Sequence, residues 1–61
     1  MIVDERRSKI LQIAEESGFI SLQRLMEEID ASESTIRRDL EYLDAMGQIQ
    51  RTRGGASFLG D

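Results

Sequence analysis

Apolar residues recur along the first part of the chain with a helical period. Ile10, Ile13, Ala14 and Ser17 fall on one face of residues 4–17, with Arg7, Gln12, Glu15 and Glu16 around them. That spacing predicts an amphipathic helix. Asp4 and Glu5 suit the positive end of such a helix, and Gly18 suits the left-handed residue that closes it. Phe19-Ile20-Ser21 is too short for another helix and rich in strand formers, so it reads as a brief extended piece. Ser21 is then an N-cap. Leu22, Leu25, Met26 and Ile29 follow at i, i+3, i+4 and i+7, one stripe with Gln23, Arg24, Glu27 and Glu28 facing water. Asp30-Ala31 breaks the pattern. Ser32 is a second N-cap, and from it runs a third helix with Ile36, Leu40 and Leu43 in its stripe, ending at Met46 with Gly47 as its cap.

The tail changes period. Residues 48–53, Gln-Ile-Gln-Arg-Thr-Arg, alternate and carry no strong helix signal. Gly54-Gly55 reads as a two-residue hairpin turn, since glycine takes positive φ without steric cost, and Ala56 to Leu59 form the return strand. Two amphipathic helices joined by a short turn, with a third helix before them, make a helix-turn-helix. The expected fold is therefore mostly α, of α+β type: a three-helix winged helix-turn-helix with a C-terminal two-stranded β-hairpin wing. A generic small α+β domain with an incidental hairpin is the alternative.

Sixty-one residues allow one small domain. With no cysteine there is neither a disulfide framework nor a thiolate zinc site, and a reducing cytoplasm fits that composition. With no histidine the commonest metal ligand and the usual neutral-pH base are also missing. No catalytic residue, metal or cofactor is expected. No apolar run reaches membrane-spanning length, and the start, Met1 to Arg6, lacks a signal peptide's apolar stretch.

Twelve acids against eight bases give a net charge of −4, which taken whole speaks against a polyanion partner. Position alters that picture. Residues 1–36 hold four bases and eight acids, whereas residues 37–61 hold four arginines and four acids. At about 100° per residue, with Ile36 as origin, the side of the third helix away from the core collects Ser34, Arg38, Glu41 and Ala45, with Arg37 flanking. Arginine binds guanine O6 and N7 bidentately, serine reaches a base edge or a phosphate, and a helix N-terminus favours phosphate. The bland reading is a solvated helix on which Glu33 and Glu41 pair with Arg37. Arg51 and Arg53 lead into the Gly54-Gly55 tip, a shape suited to phosphates or a minor groove. Its bland counterpart is a solvated hairpin whose arginines pair with surplus acids.

Asp39 lies about 60° from Ile36 at the edge of the apolar stripe, and Arg6 about 40° from Ile10. Charges so near a core need partners. Arg6 is one candidate for Asp39, and Arg51, on the strand face of Ile49, is its rival.

Ser32-Glu33-Ser34-Thr35-Ile36-Arg37-Arg38-Asp39-Leu40, with Arg6 and Ile10 upstream and Arg51-Thr52-Arg53-Gly54-Gly55-Ala56 downstream, resembles the DNA-binding domain of the DeoR family. These are bacterial transcriptional regulators, mostly repressors of sugar and nucleoside catabolism. The resemblance covers most of the chain and implies a recognition helix from Ser32 to Met46, with Thr35, Arg37 and Arg38 in its signature. Departures are small: Ala31 stands where the family usually has valine, Arg24 where glutamate is common, and Arg53 where histidine often precedes Gly-Gly. Family members continue into a domain that binds a phosphorylated sugar and mediates homo-oligomerisation. The resemblance therefore implies an excised N-terminal domain, residues 1–57 forming the winged helix and residues 58–61 beginning an interdomain linker.

The expected function is sequence-specific binding of operator double-stranded DNA by the operator-binding domain of a bacterial repressor. Its DNA-contacting set is Ser32, Ser34, Thr35, Arg37, Arg38, Arg51, Arg53, Gly54 and Gly55. The isolated domain is expected to be a monomer, on the ground that three stripes forming one core leave no apolar surface for a dimer. The alternatives are a winged helix from another type of regulator, or a protein-interaction module suited to the −4 charge.

Overall fold

The computed structural model describes residues 2–60; Met1 and Asp61 lie outside the described residues. Three helices and three strands follow one another as α1 (Val3–Ser17), β1 (Phe19–Ser21), α2 (Leu22–Glu28), α3 (Glu33–Ala45), β2 (Ile49–Thr52) and β3 (Gly55–Phe58). Local chemistry sets the helix ends. Asp4 and Glu5 occupy the first turn of α1, and Gly18, at φ +78°, closes it. Ser21 caps α2 by accepting from the Arg24 amide at 3.1 Å. Ser32 caps α3 in the same way through Thr35. At the far end of α3, Gly47 takes φ +76°, its amide donates to the Asp44 carbonyl, and that of Gln48 donates to Leu43. This is the paired hydrogen bonding of a Schellman cap, and it turns the chain directly into β2.

The expected β2–β3 hairpin forms, and β1 adds a third strand to it. The strands form one antiparallel sheet in the order β1-β3-β2, with Ile20 opposite Ala56 and Ile49 opposite Phe58. The piece read as merely extended thus covers the edge that β3 would otherwise leave unpaired.

The turn also sits one residue earlier than Gly54-Gly55. Thr52 pairs with Gly55, so Arg53 and Gly54 form the loop, and only Gly54 has positive φ, +82°. Gly55 is instead the buried first residue of the central strand. A Cβ there would lie 2.2 Å from the Ile20 carbonyl oxygen, so the close approach of β1 decides which glycine belongs to the strand. The return strand is Gly55–Phe58, not Ala56 to Leu59; Phe58 ends it and Leu59 follows.

The core joins Ile10, Ile13 and Ala14 of α1, Ile20, Leu25, Ile29, the α3 stripe Ile36, Leu40 and Leu43, and Ile49 with Ala56 from the sheet. Three expected stripe members are not in it: Met26 and Ser17 are exposed, and Leu22 packs half-buried against it. Helix α2 ends at Glu28, and Ile29 reaches the core from an extended backbone (φ −119°, ψ 128°). Apolar surface does remain outside the core, at Ile2, Val3, Phe19, Met26, Tyr42, Met46 and Leu59.

Candidate nucleic-acid interface

The first turn of α3 gathers hydroxyls. Ser32 donates to Thr35 Oγ1 at 2.9 Å and lies 3.3 Å from the Ser34 hydroxyl. One turn on, Arg37 is largely exposed and pairs with Glu33 at 3.0 Å. An exposed i, i+4 pair is worth only about 0.3–0.5 kcal/mol, so Arg37 remains available to a stronger anion. Arg38 is exposed and has no ion pair among the described residues.

Opposite α3 stands the wing tip. Arg37, Leu40 and Glu41 of α3, Leu22 at the start of α2, and residues 51–55 of the wing line an open cleft of about 460 Å³. The Leu22 amide donates to the Gly54 carbonyl at 2.9 Å and ties the tip to α2. Arg51 has three contacts with α3: Nη1 to Glu41 at 3.4 Å, Nε to Asp44 at 3.8 Å, and its amide to Asp44 at 2.9 Å. Arg53 is exposed at the tip, again with no ion pair among the described residues.

A buried cluster behind α3 fixes its rotation. The Asp39 carboxylate, 1 % exposed, accepts from Arg6 Nε, from Arg6 Nη2 at 3.1 Å and from Arg7 Nε at 3.1 Å. The Arg7 guanidinium stacks 3.8 Å above the Tyr42 ring. Burial pushes the Asp39 carboxyl up, but the Arg6 and Arg7 hydrogen bonds and charges overcome this and hold it below its ordinary value. The hydrogen bond to Asp39 raises Arg6 in turn, against burial. Arg51 is not a partner of Asp39, and α3 explains why. Asp39 lies about 60° to one side of Ile36, whereas Asp44 and Glu41 lie about 80° and 140° to the other, the side that faces the wing.

Residues 6–60 match the DeoR-like helix-turn-helix domain. The chain belongs to this family of transcriptional regulators. Its DeoR-like domain is 43 % identical over 54 residues to the lactose phosphotransferase system repressor of Lactococcus lactis subsp. lactis, covering 88 % of this chain and 21 % of that protein. It is 42 % identical over 52 residues to the glycerol-3-phosphate regulon repressor of Haemophilus influenzae, covering 85 % of this chain and 20 % of that protein. The DeoR-like chain spans about half or less of the length of the curated relatives it matches first, from 49 % down to 20 %. No solved structure matches it.

Within this DeoR-like domain, the cleft brings together Arg37, Arg51, Arg53, Gly54 and Gly55 from the expected set. Ser32, the cap of α3, and Ser34, Thr35 and Arg38 on the helix lie outside that cleft, with Thr35 half-buried and hydrogen-bonded to the Ser32 hydroxyl. Sequence reasoning passed over two roles. Arg7 joins Arg6 on Asp39, and its signal was legible: it lies about 60° from Ile10, as near the core direction as Ile13. Leu22, which anchors the wing tip through its backbone, carries no sequence signal for that contact.

Proposed function

We infer that this domain binds double-stranded operator DNA in the cytoplasm and is the DNA-reading part of a repressor of carbohydrate catabolism. The observation that carries the reading is the placement of Arg38 on the outward face of α3 and Arg53 at the wing tip, neither with an ion pair among the described residues. That arrangement suits a helix in the major groove and a wing on the adjoining backbone. Arg38 and Ser34 face the bases. The hydroxyls of Ser32 and Thr35 at the start of α3, with Arg37, Arg51 and Arg53, serve phosphates. Gly54 lets the tip approach the backbone closely, and Gly55 sets the register that aims it. Effector binding by a phosphorylated sugar and homo-oligomerisation belong, on this reading, to the parts of such regulators outside the matched region.

Substitution separates the two elements. Arg38→Ala is expected to weaken binding to a duplex enriched by this chain from a randomised pool by about 1–3 kcal/mol and to relax preference at one base pair. Arg53→Ala should weaken enriched and scrambled duplexes alike and reduce the slope of log K against log salt by about 1. If Arg53→Ala alters base preference while Arg38→Ala alters only the salt slope, the docking is reversed. Binding insensitive to salt would point to an apolar protein interface instead.

A further inference from the structure

The two acids that meet Arg51 do different work. Asp44 accepts from the Arg51 amide at 2.9 Å and so fastens β2 to the end of α3. Among the described residues Glu41 has no backbone partner and a single ion pair, to Arg51 Nη1 at 3.4 Å, and its side chain is 60 % exposed. An exposed pair of this kind contributes at most about 1 kcal/mol to the fold. Yet it stands on the outward side of α3, about 140° from Ile36, in the cleft shared with Arg37 and Arg53. A negative charge where phosphates are expected to seat opposes every DNA molecule, unless a particular sequence offers it a partner.

Resting on the DNA-binding reading above, we propose that Glu41 is a specificity-determining residue that exchanges partners when the right sequence docks. In the free domain it holds Arg51. In the specific complex Arg51 passes to a phosphate, and the Glu41 carboxylate accepts from a cytosine N4 amine in the major groove. A carboxylate only accepts hydrogen bonds, and the cytosine amine is the base-edge donor that acidic side chains read. On other sequences Glu41 finds no donor and keeps its hold on Arg51, withholding that guanidinium from the phosphates. It therefore penalises indiscriminate binding more than specific binding.

The test compares the 61-residue chain with Glu41→Gln, and with Glu15→Gln, an equal charge change on exposed α1 surface away from the cleft. The probes are a scrambled duplex, the duplex enriched by the unmodified chain, and every single base-pair change in the latter. Glu41→Gln should raise affinity for the scrambled duplex by about two- to fivefold over Glu15→Gln, the weight of an exposed ion pair. That gain should be largely lost when Arg51→Ala is already present. At one C·G pair, the penalty for substitution should fall by roughly fivefold or more in Glu41→Gln and stay intact in Glu15→Gln. Equal behaviour of the two variants, a gain that survives Arg51→Ala, or no C·G pair losing its penalty would each overturn the proposal and leave DNA binding standing. Failure of the unmodified chain to enrich any duplex would overturn the DNA-binding reading, and the proposal with it.

Discussion

Replacing Asp39 with alanine tests the cluster that orients α3. The carboxylate is 1 % exposed and receives three hydrogen bonds from two guanidiniums whose side chains are 12 % and 26 % exposed. Removing one member of a buried pair costs about 3–5 kcal/mol, because the other charge stays desolvated. Arg7 is a quarter exposed and can turn toward water, whereas Arg6 has less room, which places the loss at the lower end, about 3 kcal/mol. A domain of this size has roughly 3–9 kcal/mol in all. At about 4–8 °C per kcal/mol, the melting temperature should fall by on the order of 12–24 °C. Glu41→Ala, which removes one exposed contact, should cost no more than about 1 kcal/mol. Thermal melts followed by circular dichroism at neutral pH decide the matter. Combining Asp39→Ala with Arg6→Ala should cost less than the two single losses added together, since the second change removes the stranded charge. An Asp39→Ala melt no lower than that of Glu41→Ala would refute the placement of Asp39 as the anchor.

The same carboxyl predicts an acid limb to stability. Its folded value is held below the ordinary one, so the unfolded chain takes up the proton first; stability is full above about pH 4 and is lost as pH falls toward the folded value. Asp39→Asn should lack that part of the slope, and an unchanged slope would assign acid unfolding to other carboxylates. At the wing, Gly55→Ala must displace the Ile20 carbonyl, 2.2 Å from the new Cβ, and should cost about 1–3 kcal/mol or more. Gly54→Ala meets open space and strains only a φ of +82°, at about 1–2 kcal/mol. If melts show Gly54→Ala to be the more damaging, the register of the wing is wrong.

The parts of the fold legible in the sequence are those that local chemistry decides. Ser21 and Ser32 announce helix starts because their hydroxyls meet amides three residues on, and Gly47 announces a helix end because the Schellman cap needs its positive φ. The third strand and the turn register depend instead on a contact between residues far apart in the chain. Either glycine of Gly54-Gly55 tolerates positive φ, and only the Ile20 carbonyl against Gly55 chooses between them. Helical angle pointed to Arg6 as the partner of Asp39, and strand alternation offered Arg51. What excluded Arg51 was the side of α3 on which β2 packs, which periodicity does not encode.

The net charge of −4 and the proposed DNA-reading face are reconciled by how the cations are distributed. Arg6 and Arg7 are spent on Asp39, Arg24 on Glu28, Arg37 on Glu33 and Arg51 on Glu41 and Asp44. Of the cations left without an ion pair among the described residues, Arg38 and Arg53 both sit where the helix and wing would meet a duplex. A domain so charged gains little from long-range attraction, and at most Arg37, Arg38, Arg51 and Arg53 are placed to neutralise phosphates. On the proposed reading its affinity for arbitrary DNA should be correspondingly small, since each phosphate contact supplies only its own share of counterion release. On that reading most of the discrimination falls to the few side chains on the outward face of α3. If those side chains read bases as proposed, their aim depends on the rotation that Asp39 sets from behind, and the buried ion cluster and the outward face of α3 act as one device.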